Sequence, residues 1–170
     1  MRRLAILLLI LPVLGFVLPA SAGHIPGCPH RPTVWNGTSG NDCASDGDGS
    51  NDNWHLKGGN DEAHGDNGGD LIAGEGGDDV IHGGNGPDDL NGGDGHDNLY
   101  EFDPGNGDLS TDDLSGGAGN DFMECGRGTD TCQGGSQTVG GKDVIWHCHD
   151  VGADTIGGFE EHVDVFPPNC

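Results

Sequence analysis

The chain has 170 residues, of which 35 are glycine, 29 are Asp or Glu and only six are Lys or Arg, for a formal charge of -23. Apolar residues make up 32%, against the usual ~45–50%, so the chain has little to form an ordinary core and its ordering entropy must be offset by something else. The glycines lack a three-residue period, which excludes a collagen helix. The charge argues against nucleic acid and anionic membrane surfaces as partners and favours cations.

Residues 1–22 read as a secretory signal. Arg2 and Arg3 begin it, Leu4 to Leu18 form the apolar run, and Ala20-Ser21-Ala22 gives the small-residue cleavage pattern before Gly23. The run is short for a spanning helix, so membrane insertion is not expected. A secreted, extracellular product is the expectation. Six cysteines follow: Cys28, Cys43, Cys125, Cys132, Cys148 and Cys170. An even count in an exported chain suggests three disulfides. A local scheme among the fifteen connectivities pairs Cys28 with Cys43, Cys125 with Cys132 and Cys148 with Cys170.

Residues 23–36 form a lead-in with Pro26, Pro29 and Pro32. A repeat-like turn, Gly37-Thr38-Ser39-Gly40-Asn41-Asp42, comes next. Aspartate then recurs every nine residues at Asp52, Asp61, Asp70, Asp79, Asp88 and Asp97. An apolar residue stands two positions after each, as in Ile72, Ile81, Leu90 and Leu99. A fixed short period marks a solenoid, in which each unit buries its apolar face against its neighbours. An interruption over 101–111 is expected to loop out of the stack. The array resumes at Asp112 and Asp121 with a variant unit ending at Asp130, and a second, shorter break leads to Asp143. Residues 153–159 read as a terminal strand or two, and 160–170 as a tail or cap. No window supports an amphipathic helix, because glycine costs about 1 kcal/mol per helical residue.

In one unit, the first six positions are Gly-rich and end in Asp, while the last three are strand-like. Glycine permits turns with positive φ and close approach of carbonyls to a ligand. Of three strand residues only the middle one points inward. Two units therefore make one coil of eighteen residues, with two parallel sheets facing each other. Asp52, Asp70 and Asp88 stack on one edge, and Asp61, Asp79 and Asp97 on the other. Coils lie about 4.8 Å apart, so these carboxylates repel unless a cation lies between them. Calcium, which takes 6–8 oxygen ligands in tolerant geometry, suits such an edge better than magnesium.

The unit closely resembles the RTX (haemolysin-type) calcium-binding repeat, Gly-Gly-x-Gly-x-Asp-x-apolar-x. Residues 37–159 carry the resemblance, most clearly through Asp70, Ile72, Gly77, Asp79, Ile81, Gly83, Gly84 and Asp88. It implies an all-β fold, a right-handed parallel β-roll or β-solenoid, with several calcium ions between successive loops. The ligands it implies are Asp52, Asp61, Asp70, Asp79, Asp88, Asp97, Asp121 and Asp130. Asp42, Asp112, Asp143 and Asp154 lie at broken spacings and are left out of that set. Lys57 falls in a loop, where its charge weakens the edge. The amino-terminal signal departs from the carboxy-terminal signal usual in the family.

Other motifs carry less. Asp46 to Lys57 fails as an EF-hand, with Asn51 at the glycine position and Lys57 at the glutamate position. Asn36-Gly37-Thr38 is a formal sequon coincident with the first turn. His64 and His82, eighteen residues apart, are outward and able to stack as surface histidines or to hold a transition metal. His147-Cys148-His149 suits a disulfide flanked by exposed histidines better than a soft-metal site. No zinc-protease or nucleophile-elbow signature is present. The expected function is a secreted calcium-binding module rather than an enzyme, its folding coupled to calcium. One alternative is an adhesin or matrix component using the outward sheet faces, its protein or glycan partner unknown. Another is a small calcium-dependent hydrolase with its site in 101–111 or the tail.

Overall fold

The computed structural model describes residues 27–101, 108–137, 142–148, 155–158 and 161–165. Among the described residues, fourteen short strands alternate between two parallel sheets. The first sheet runs β1 (Val34–Asn36), β3 (Asn53–His55), β5 (Leu71–Gly76), β7 (Asp89–Gly95), β9 (Asp113–Gly119), β11 (Thr131–Gln137) and β13 (Thr155–Gly157) in spatial order. The second holds β2 (Cys43–Ser45), β4 (Glu62–His64), β6 (Val80–His82), β8 (Asn98–Tyr100), β10 (Phe122–Glu124), β12 (Val144–Cys148) and β14 (Glu161–Val165). Each odd strand is followed by an even strand on the opposite sheet, so the chain winds as a parallel β-roll. Strands β1 and β14 carry the sheets into the lead-in and the tail. The expected signal at 1–22 lies outside the described residues, among which no helix is long and apolar enough to cross a membrane.

Register follows the apolar residue at the eighth position of each unit. Trp54 pairs with Ile72, Ile72 with Leu90, Leu90 with Leu114 and Leu114 with Cys132. On the facing sheet Ala44, Ala63, Ile81, Leu99, Met123 and Ile145 align in the same way. All of these side chains are fully buried, and with Leu56 and Cys125 they form one continuous core between the sheets. Full burial of such a side chain is worth about 1.5–3 kcal/mol, and a single column per sheet is all that the composition supplies. Disulfides Cys28–Cys43 and Cys125–Cys132 match the expected local scheme. The third expected pair, Cys148–Cys170, lies outside what is described of the side chains.

The corners between strands need glycine for two separate reasons. At the fourth position of a unit φ is positive, and the backbone presses on the previous coil. A Cβ on Gly77 would lie 1.8 Å from the Gly59 carbonyl oxygen, and one on Gly86 1.7 Å from that of Gly68. The second position is also left-handed, yet three units place Lys57, Asp66 and Glu75 there, at φ of 83°, 69° and 71°. These are the described non-glycine residues with positive φ, a conformation that costs about 1–2 kcal/mol.

Of the residues expected to loop out at 101–111, Glu101 and Asp108 bond to neighbouring coils. Glu101 is buried and donates its N–H to the Glu124 carbonyl, and Asp108 accepts from the Gly86 N–H. Both therefore belong to the stack. Residues 102–107, the remainder of that insertion, lie outside the described residues.

Candidate metal centre

Each sixth-position aspartate sits where a strand begins, on one of the two edges, with its carboxylate turned along the stack. On the first edge the backbone N–H of Asp52 donates to Asp70 Oδ1 (2.8 Å), Asp70 to Asp88 (2.7 Å), Asp88 to Asp112 (3.0 Å) and Asp112 to Asp130 (3.1 Å). On the second edge Asp42 donates to Asp61 (2.6 Å), Asp61 to Asp79 (2.8 Å), Asp79 to Asp97 (2.8 Å), Asp97 to Asp121 (3.0 Å) and Asp121 to Asp143 (3.0 Å). All eight residues of the expected set therefore stand on these two ladders, with Asp130 on the first and Asp121 on the second.

Asp42, Asp112 and Asp143, set aside for their broken spacing, stand on the ladders as well. The step is 18 residues in the regular coils, 24 across the insertion and 22 across the second interruption. The register holds across both breaks in the spacing. The signal was present in the sequence, since Ala44, Leu114 and Ile145 each follow their aspartate by two positions. Asp154 lies outside the described residues.

The ladder uses one oxygen, Oδ1, of each accepting carboxylate from Asp61 to Asp143. Oδ2 of Asp52, Asp61, Asp70, Asp79, Asp88, Asp97 and Asp121 is buried and has no hydrogen-bond partner. Those of Asp70, Asp79, Asp88, Asp97 and Asp121 face the first-position glycine of their own unit. A Cβ on Gly74 would lie 2.3 Å from Asp79 Oδ2 and 2.4 Å from the Gly92 carbonyl oxygen. The equivalent pairs are Asp70 Oδ2 and Gly83 O at Gly65, Asp97 Oδ2 and Gly116 O at Gly92, and Asp121 Oδ2 and Gly134 O at Gly116. Each glycine thus opens a small slot lined by a carboxylate oxygen and a carbonyl oxygen of the next coil. In the unit ending at Asp61 that position belongs to Leu56, which packs in the apolar core.

Burial of so many acids is costly without a countercharge. It pushes Asp70 and Asp79 up to about 6, Asp52 and Asp97 to about 7 and Asp88 to about 8, with neighbouring carboxylates adding to the shift. Buried, unpaired and closely stacked oxygens are the donor set that a hard cation requires. The residues present therefore fit calcium.

His64 and His82 do stack on the outer face of the second sheet, with centroids 4.2 Å apart, and Tyr100 continues the stack at 4.7 Å from His82. Burial, followed by the nearby His64, holds His82 down at about 4. Ring stacking accounts for the pair. The side chains of His147, Cys148 and His149 lie outside the described set.

Fold and edges together define a parallel β-roll whose acid-lined corners are built for cations. Over residues 57–90, 64–99 and 106–138 the chain matches the family described as RTX calcium-binding nonapeptide repeat (4 copies). The chain carries RTX calcium-binding nonapeptide repeats, and these repeats imply a calcium-binding β-roll module. No curated protein and no solved structure matched it.

Proposed function

We propose that calcium ions seat along both edges, in the glycine slots of Asp70, Asp79, Asp88, Asp97 and Asp121 and beside Asp52, Asp61 and Asp130, held by aspartate carboxylate oxygens together with backbone carbonyls. Asp112 and Asp143 extend the set. The observation that carries this reading is the division of the Asp70, Asp79, Asp97 and Asp121 carboxylates, with Oδ1 fixed by a backbone N–H and Oδ2 bare and buried beside a carbonyl oxygen. The Oδ1 bond orients the carboxylate in advance, so little ordering remains for the ion to impose. Calcium supplies the positive charge that lets the two acid edges close.

Folding is then coupled to calcium, because the sites join residues eighteen or more positions apart and do not exist in the unfolded chain. The apolar run at residues 4–18 and the paired cysteines support export to an oxidising, calcium-rich space. In that setting the chain acts as a binding or structural module without catalysis. Far-ultraviolet circular dichroism during calcium titration tests the reading, with magnesium as control. The β signal rises cooperatively with calcium and barely with magnesium. A metal-free chain already fully folded, and indifferent to calcium, overturns it.

A further inference from the structure

We propose that Asp88, Glu101 and Asp112 form a distinct three-carboxylate site for a hard cation, filled before the slots of the regular repeats. The proposal rests on the reading that the edges take calcium, and goes beyond it in assigning a residue that no repeat position supplies.

Glu101 occupies the first position of its unit, where glycine stands in the two units before it on the same edge. The backbone register shows this. Gly65 donates its N–H to His82 O, Gly83 to Tyr100 O and Glu101 to Glu124 O. Its side chain turns into the edge. The residue is 3% exposed, and neither Oε1 nor Oε2 has a hydrogen-bond partner. A Cβ on Gly83 would lie 2.5 Å from Asp88 Oδ2 and 2.7 Å from Glu101 Oε2. In the regular slots the second oxygen is a backbone carbonyl, and here it is a carboxylate.

Asp88, Glu101 and Asp112 each offer one oxygen, and these lie within 4.8 Å of one another. Calcium bonds oxygen at about 2.3–2.6 Å, so ligands across the ion stand about 4.6–5.2 Å apart. The three oxygens are close enough together to share one ion. Asp88 and Asp112 are held in place by their ladder bonds to Asp70 and Asp88, and Ser110 Oγ donates to Asp112 Oδ2 at 3.2 Å. Affinity in calcium sites follows ligand charge and rigidity. Three carboxylates, two of them fixed by ladder bonds, outrank the mixed carboxylate and carbonyl slots in charge. Glu101 and Asp112 also flank the inserted segment, so an ion here ties its two ends to the coil below.

Calorimetric titration of the calcium-stripped full chain, with metal content measured after desalting into calcium-free buffer, tests the site. The wild type retains one ion per chain and shows one step roughly tenfold or more tighter than the rest. Glu101→Gly, which restores the repeat residue, and Glu101→Gln both lose that ion and that step. They keep the remaining calcium uptake and reach the wild-type β signal at saturating calcium. Tight uptake unchanged in Glu101→Gly, or a single class of sites in the wild type, overturns the proposal while leaving the calcium reading intact. Absence of any calcium uptake by the wild type instead overturns the calcium reading itself. Should both variants fail to fold, anomalous diffraction from wild-type crystals grown with terbium decides. A peak among Asp88, Glu101 and Asp112 supports the site, and its absence there refutes it.

Discussion

Replacing Asp79 with asparagine separates the two tasks of a ladder carboxylate. The amide oxygen still accepts the Asp61 N–H, which in the wild type lies 2.8 Å from Asp79 Oδ1. The amide nitrogen takes the place of Oδ2, which lies in the Gly74 slot beside the Gly92 carbonyl. Without calcium, the wild-type chain must bury a carboxylate that burial and then the neighbouring Asp61 and Asp78 charges disfavour. The substitution removes that cost and gives the slot a donor for the carbonyl. With calcium, it removes an anionic ligand. At 10 mM calcium and a dissociation constant of ~10⁻⁴–10⁻³ M, one site contributes about 1.4–2.7 kcal/mol to the folded state. In a chain of 170 residues its loss lowers the melting temperature by about 3–11 °C. Asp79→Asn is therefore less stable than wild type in calcium and more stable than wild type in chelator. Thermal melts in 10 mM calcium measure the first effect. Melts in chelator with trimethylamine N-oxide, which draws the metal-free chain toward compact states, measure the second. A variant weakened equally in both conditions refutes the argument, since the carboxylate would then serve packing alone.

The metal-free roll gains stability on acidification. Asp70, Asp79, Asp52, Asp97 and Asp88 are raised to between about 6 and about 8, so their folded forms hold protons that the unfolded chain releases near 4. Their stabilisation is full below that value and is lost as pH rises through 6–8. His82 opposes this at the acid end, because its value near 4 means stability present above about 6.5 and lost as pH falls through about 4. Circular dichroism in chelator is expected to show most β signal near pH 5, while calcium affinity falls over the same descent. Gly77→Ala breaks the roll whatever the calcium concentration. Its Cβ meets the Gly59 carbonyl at 1.8 Å with φ of 122°, at a cost of roughly 3 kcal/mol or more, and recovery of the β signal at high calcium would contradict this. Lys57→Gly relieves a left-handed residue at φ of 83° and raises stability by about 1 kcal/mol in a calcium-saturated urea melt.

The period of nine made the fold legible before any coordinate was known. It gave the coil length, the two sheets, the single inward column and the division of aspartates between edges. The additional ladder members were missed because counting along a chain treats an insertion as a broken register. Asp112 and Asp143 keep their place through the burial of Leu114 and Ile145, a constraint that acts across coils and not along them. Left-handed backbone at Lys57, Asp66 and Glu75 was hidden for a similar reason. Those units lack the glycine that would advertise it, and the conformation is imposed by neighbouring turns that do carry glycine at the same position. Glu101 looked like the start of a loop because its hydrogen bond to Glu124 crosses the insertion.

Why the sixth position must be aspartate follows from the reach of its side chain. Its Cβ and carboxyl carbon span the gap to the backbone N–H of the equivalent residue one coil earlier, leaving the second oxygen over the glycine slot. Asparagine makes the same span but turns a donor toward the cation, and glutamate carries its charge one methylene past the slot. That extra methylene is harmless only where the residue starts from a different backbone position. Glu101 does so, reaching the Asp88 slot from the first position of the following coil. Leu56 uses the same position in the opposite sense, giving a slot to the apolar core. Variation at the first position therefore sets the character of each rung, from carbonyl slot to carboxylate cluster to dry contact, while the sixth position keeps the stack in register. The roll is uniform in its hydrogen bonding and graded in its charge, and calcium fills such an edge in an order written by the residues that replace glycine.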